Sequence, residues 1–152
     1  MLTKILLTRD TLIQQHNPKD KHMLTIPTSH QDLIKDETKS FLFLATLMPN
    51  GSPQVTPVWF SAEGGYILIN TAEGRVKDRN MRARPQVALV IQDPSTPYRY
   101  LQIRGRVDSF TEEGGDEHIN ALSLKYDGKP WKKVTGQTRV IFKILPEHVD
   151  AH

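Results

Sequence analysis

The stretch "FLFLATLMPNGSPQVTPVWF", residues 41–60, decides the fold. Its first eight residues are almost continuously apolar, the mark of a strand covered on both faces. Pro49, Asn50 and Gly51 interrupt the run, and Asn50-Gly51 is a strong hairpin signal because both positions tolerate positive φ. "QVTPVWF" (54–60) then returns as a second strand. Two strands joined by a tight turn must pair antiparallel, which argues against a sheet assembled from βαβ units.

The pattern continues outward from this hairpin. "SAEGG" turns the chain again and "YILINTA" (66–72) reads as a third strand, so the first three strands are expected to form a meander. "QVALVIQD" (86–93) is a fourth. In "YLQIRGRV" (100–107), Tyr100, Gln102, Arg104 and Arg106 alternate with Leu101, Ile103, Gly105 and Val107, giving a two-faced fifth strand. "TRVIFKIL" (138–145) is the sixth. Thr28 and Gln31 make a capping-box pattern ahead of Leu33 and Ile34, which predicts a short helix near 28–38. A second helix near 111–126 carries Ile119, Leu122 and Tyr126 on one side. Six short strands with hairpin turns and short helices predict a mainly β protein, an antiparallel β-barrel. Pro57 has no N–H to give to a ladder, so the second strand is expected to break, bulge or lie at an edge there.

A chain of 152 residues is one domain of ordinary size. No apolar run approaches the roughly 20 residues that span a bilayer, so no membrane partner is expected. Cysteine is absent, which excludes disulfides and thiolate metal sites and fits a cytoplasmic location. The six histidines (His16, His22, His30, His118, His148 and His152) have no metal-ligand spacing. Nucleophile elbow, zincin, phosphate-loop and dinucleotide motifs are also missing. His118 follows the acidic run "EEGGDE", which the helix dipole explains, and reads as a surface residue. Residues 1–22 have too short an apolar stretch for a signal peptide and read as a tail, with the folded domain over 23–152.

The charge is unevenly distributed. The chain has 20 Lys+Arg and 17 Asp+Glu, a net of +3. Residues 75–84 hold Arg75, Lys77, Arg79, Arg82 and Arg84 against Asp78 alone, so the remainder has 15 basic and 16 acidic residues, a net of −1. The segment has helical character and ends at Pro85. A solvated helix face, a nucleic-acid contact and an anionic small-molecule site are the three readings of such a cluster. No nucleic-acid module accompanies it. A cation at a helix N-terminus opposes the dipole, and Arg75 falls there, directly after Gly74; an anion held by free N–H groups and cations would reverse the sign. Arg75, Arg79 and Arg82 recur at helical spacing and are expected on one face, with Lys77 and Arg84 on another.

"TLMPNGSPQVTPVWF", "ILINTAEGRVKDRNMRARPQVAL" and "PYRYLQIRGRV", in that order and spacing, resemble the pyridoxamine 5′-phosphate oxidase-like split-barrel family, and within it the branch of F420-dependent enzymes. The resemblance covers roughly residues 27–146. It implies a six-stranded split barrel, a homodimer, and a flavin or deazaflavin held between subunits. Arg75 and Lys77 match the residues that hold the cofactor phosphate, with Arg79 and Asn80 close behind. Thr56, Pro57 and Val58 match the strand lining the ring, and Asn70 and Thr71 the strand end beside the phosphate. The C-terminal substrate signature of pyridoxamine phosphate oxidase itself is missing, so oxidation of vitamin B6 is not expected. The implied activity is hydride transfer from reduced F420 to an activated double bond of a small organic acceptor. An FMN-dependent reductase is the alternative, as is a flavin-, haem- or tetrapyrrole-binding protein without turnover. The longer acidic tail of F420 would engage more of the cations, Arg79 or Arg82 among them. Tyr98, Arg99 and Tyr100 are candidates to border the pocket, and Tyr126 and Trp131 to close it.

Overall fold

A computed structural model describes residues 26–152; the expected tail, residues 1–22, lies outside the described residues. Seven strands form one antiparallel sheet: β1 (Phe41–Leu47), β2 (Pro53–Val58), β3 (Phe60–Glu63), β4 (Tyr66–Ala72), β5 (Gln86–Gln92), β6 (Tyr100–Thr111) and β7 (Arg139–Ala151). Their order is β2-β1-β5-β6-β7-β4-β3. The helices are α1 (Val76–Ala83) and α2 (Gly115–Asp127).

The expected six strands become seven because the second one divides at Trp59. The expected meander is corrected with it. β2 pairs only with β1, through Phe43↔Pro57 and Ala45↔Val55, whereas β3 pairs only with β4, through Phe60↔Ile69. Val58 and Phe60 therefore stand at opposite edges of the sheet with one residue between them. A sheet whose edges are one residue apart has to curl through most of a circle, so the fold is a split barrel with its seam at Trp59.

Pro57 neither breaks nor bulges the strand, since the β1–β2 register runs through it unshifted. β2 is an edge strand, and Pro53 and Pro57 have the same parity, so both imide nitrogens fall on the open side where no ladder bond is lost. The irregularities lie instead between β6 and β7, at Arg104/Gly105 and Val107/Ser109. A Cβ on Gly105 would stand 2.3 Å from the carbonyl oxygen of Leu145, so only glycine admits that approach.

Inside the curl, alternate residues such as Leu42, Leu44, Phe60, Ile69, Ile91, Ile103, Phe142 and Ile144 form the core. Outward-facing β1 is not covered as the sequence predicts: Phe41 is 52% and Phe43 37% exposed, with Val55 of β2 63% exposed beside them. The helix expected near 28–38 is two 3-10 turns, Thr28–Ile34 and Asp36–Thr38. No capping box forms, because Pro27 holds the N-cap position and Gln31 donates to the carbonyl of Ile26 instead. No described helix is long and apolar enough to cross a membrane.

Candidate functional site

β4 ends at Ala72, and the chain reverses through Gly74 at φ 82°, the left-handed region that suits glycine. Arg75 follows as the N-cap in extended conformation, with φ −67° and ψ 159°, and α1 begins one residue later. Helical spacing therefore does not place Arg75 on the face of Arg79 and Arg82. Arg75 and Lys77, expected on different faces, line the same pocket, a cavity of about 400 Å³. Asn70, Thr71, Pro57 and Val58 line it as well.

The rest of the basic segment is occupied locally. Arg79 donates to the carbonyl of Gly74 at 2.6 Å. Arg82 pairs with Asp78 at 2.8 Å and lies over the Phe110 ring. Arg84 donates to the carbonyl of Leu47 and to Asn80. Asn80 is buried and donates to Thr46 at 3.0 Å, so it ties α1 to β1 and stands outside the pocket, as do Arg79 and Thr56.

A third cation completes the site. Arg139, the first residue of β7, pairs with Ala72 across the sheet and lines the pocket at only 6% exposure. Its Nε donates to Asn70 Oδ1 at 2.7 Å, and its guanidinium stacks toward Trp131 at 5.3 Å. Burial, and then the charge of Arg75, pull its pKa down to about 10. Lys77 is lowered in the same way, by burial first and then by Arg75 and Arg139. The pocket lining contains no carboxylate, and none of these three cations forms an ion pair among the described residues. Three mutually repelling cations around a half-buried cavity, with no side chain capping the first turn of α1, form a site that an anion would stabilise. The Thr71 hydroxyl is buried without a partner on the strand face of Ile69 and Val140, opposite Asn70 and Arg139.

The other wall is aromatic. Trp59, at the barrel seam, stacks on Tyr126 of α2 with centroids 5.5 Å apart and planes 8° from parallel. Trp131 meets Trp59 edge-on at 6.3 Å. The loop carrying Trp131 is pinned to α2, where Asn120 accepts from the Trp131 backbone and Ser123 donates to the carbonyl of Lys129. Tyr126 donates to the carbonyl of Ser40 at 2.9 Å, and burial raises its pKa. Tyr126 and Trp131 thus close the pocket from within one chain. Tyr98, Arg99 and Tyr100 do not border it: Tyr98 is exposed, Arg99 pairs with Asp32 and Asp93, and Tyr100 stacks on His152. A larger cleft of about 680 Å³ lies between the 3-10 turns and the β3–β4 hairpin. Its charged lining is Lys35 against Asp36, Glu37 and Glu63, a balance that repels anions.

His118 is not the surface residue the sequence suggests. It is half-buried between β3 and β4, with Nε2 3.0 Å from Ser61 Oγ and Nδ1 3.3 Å from Asn70 Nδ2. Burial is the main force lowering its pKa. No group of potential metal ligands forms among the described residues.

A curled antiparallel sheet with a cationic, aromatic-walled pocket at its seam defines the split-barrel class. Residues 26–152 match the family model described as pyridoxamine 5′-phosphate oxidase, and the chain belongs to that family. No curated protein matches the chain. Among solved structures, an F420 reductase is 31% identical with a TM-score of 0.73, the match covering 82% of this chain and 98% of that one. A conserved hypothetical protein of Mycobacterium tuberculosis is 20% identical (TM-score 0.65; 84% of each chain), and general stress protein 26 of Bacillus anthracis is 18% identical (TM-score 0.58; 79% and 91%). These two carry the fold alone.

Proposed function

We propose that the protein is an oxidoreductase that grips the phosphate of reduced F420 with Arg75, Lys77 and Arg139 and delivers hydride to an activated double bond of a small organic acceptor. The observation that carries this reading is the convergence of three cations without a carboxylate on a pocket with an aromatic wall. The 31% identity to an F420 reductase supports the deazaflavin over FMN.

The residues present fit such a group. Arg75, Lys77 and Arg139 are donors suited to a phosphate, and Pro57, Val58, Trp59 and Tyr126 are flat or apolar surfaces suited to a ring. Reduced F420, when bound, supplies the hydride, so the protein needs little acid–base apparatus of its own. Its side chains fix the ring's position, hold the phosphate charge and exclude water behind Trp59 and Trp131. As a second element of the proposal, the protein works as a homodimer: exposed Phe41, Phe43 and Val55 form an apolar strip contiguous with the pocket through Phe41.

Titration of the purified protein with F420 and with FMN tests the assignment, followed by reoxidation of the reduced cofactor with candidate acceptors. Tight F420 binding that is weakened at least a hundredfold in the double variant Arg75→Ala, Lys77→Ala is expected, since each charge-assisted contact contributes roughly 1.5–3 kcal/mol. Unchanged affinity in that variant would reject the site. A yellow FMN spectrum on purification would replace F420 by FMN.

A further inference from the structure

Asn70 lines the pocket, yet its amide is engaged on every side. Nδ2 donates to the carbonyl of Gly115 at 2.8 Å, Oδ1 accepts from Arg139 Nε at 2.7 Å, and the second Nδ2 hydrogen faces His118 Nδ1 at 3.3 Å. Two of these partners set the amide's orientation without ambiguity, because a carbonyl only accepts and a guanidinium only donates. Asn70 therefore presents N–H to His118, and Nδ1 of His118 must be the acceptor. The neutral ring then carries its proton on Nε2 and donates it to Ser61 Oγ at 3.0 Å.

We propose that His118 is a positioning residue: through the chain Ser61–His118–Asn70 it locks the Asn70 amide so that Oδ1 stays on Arg139, and its protonation releases that grip. This rests on the reading of the Arg75–Lys77–Arg139 pocket as the anion site. A proton added at Nδ1 sets donor against donor. If the amide turned over to relieve this, Oδ1 would confront the Gly115 carbonyl and Nδ2 would confront Arg139 Nε. Unturned, the amide loses its bond to His118 and with it the lock on its orientation; turned over, it loses the bond to Arg139 itself. The added charge sits near an anion site, yet the prediction is weaker binding of the anion in acid, opposite to simple Coulomb attraction.

The charged groups around His118 come from four elements. Glu63 of β3 and Asp36 of the second 3-10 turn favour the imidazolium, whereas Arg139 of β7 and Lys125 of α2 oppose it. Burial, the largest of these influences, opposes it further and favours the neutral ring. The lock is thus closed while the ring is neutral and opens only on acidification.

The test follows the Arg139 Nε–H resonance of ¹⁵N-labelled, cofactor-free protein as pH is lowered, alongside the His118 ring signals. Arg139 should shift and lose exchange protection with the same midpoint as His118. His118→Asn places an acceptor where Nδ1 stood but does not titrate, so Arg139 should remain protected throughout. His118→Leu should lose the protection at every pH and bind F420 about tenfold more weakly. An Arg139 resonance that ignores the His118 titration, or that titrates equally in His118→Asn, overturns the proposal. The readout needs no cofactor, so failure of the lock is distinguishable from failure of the F420 assignment, which only the titration of affinity addresses.

Discussion

Asp78 accepts a hydrogen bond from the backbone N–H of Gly74 through Oδ2 at 2.8 Å and one from Arg82 through Oδ1, also at 2.8 Å. The one acid of the basic segment thus serves the turn that delivers Arg75, and Arg82 serves the acid. Helical spacing predicts Arg75, Arg79 and Arg82 on one face and Lys77 and Arg84 on another, so that only part of the cluster meets one ligand. The geometry divides them into two that reach the pocket and three that build its frame.

Asp78→Ala should destabilise the protein by roughly 2 kcal/mol, since a buried carboxylate with two donors is removed and the Gly74 N–H loses its acceptor. It should also loosen Arg75. Chemical denaturation measures the first effect and cofactor titration the second. A variant with full stability and full affinity would show that the turn holds itself without the carboxylate.

Lys77 makes the opposite trade. Burial and two neighbouring guanidinium groups lower its folded pKa below the unfolded value. The unfolded chain then binds more protons in the window between the two, so stability rises with pH there, and the full penalty is present at neutral pH. Lys77→Met keeps the aliphatic stem and removes the charge. Its cofactor-free form should melt at the same temperature as the parent or higher, with a flatter pH profile in the alkaline range. Cofactor affinity should fall by tenfold or more. Loss of stability together with affinity would mean that the lysine is a structural support.

The sheet was legible because its signals are local. Asn50-Gly51 fixes one hairpin, and period-two alternation fixes the faces of β6. Trp59 was not, because "QVTPVWF" holds no turn residue between Val58 and Phe60 while its two ends belong to opposite edges of the barrel. Nothing within seven residues encodes that division; it follows from closure of the whole sheet. Arg139 was missed for a related reason. It opens "RVIFKIL" where a polar residue at a strand start is unremarkable, and only its register opposite Ala72 brings it to Arg75. The one available signal was a cation leading a strand with no acid nearby in sequence. His118 was misread because the helix dipole accounted for its acidic neighbours, while its own burial depends on how α2 lies on the sheet.

Gly115 shows how α2 comes to lie there. A Cβ at this position would stand 2.4 Å from the carbonyl oxygen of Arg139 and 2.9 Å from its carbonyl carbon, both backbone atoms that cannot yield. Gly115→Ala should push α2 off β7, costing about 1–3 kcal/mol, and should weaken cofactor binding because Arg139 and Asn70 share that contact. Gly105→Ala meets the Leu145 carbonyl at 2.3 Å on the far stretch of β7 and is the control. It should lower the melting temperature while the affinity of the surviving folded protein is unchanged. Equal loss of affinity in both variants would point to general unfolding and away from a specific role for Gly115.

The exposed strip on β1 and β2 gives the last test. Phe43 lies in register with Pro57 on one side and Val90 on the other, so the outward face around it is apolar across three strands. Phe43 contributes nothing to the core, which is built from Leu42 and Leu44 on the opposite face. Phe43→Glu should therefore leave the fold and its melting temperature nearly unchanged, apart from any stabilisation that association itself provides. If two copies cover each other's strips, burying a carboxylate there without a partner would be strongly unfavourable, and the variant should sediment as a monomer where the parent sediments as a dimer. Phe41 belongs both to this strip and to the pocket, so the monomeric variant should also bind F420 more weakly. A parent protein that sediments as a monomer at high concentration would remove the dimer from the proposal and leave the three-cation pocket to stand alone.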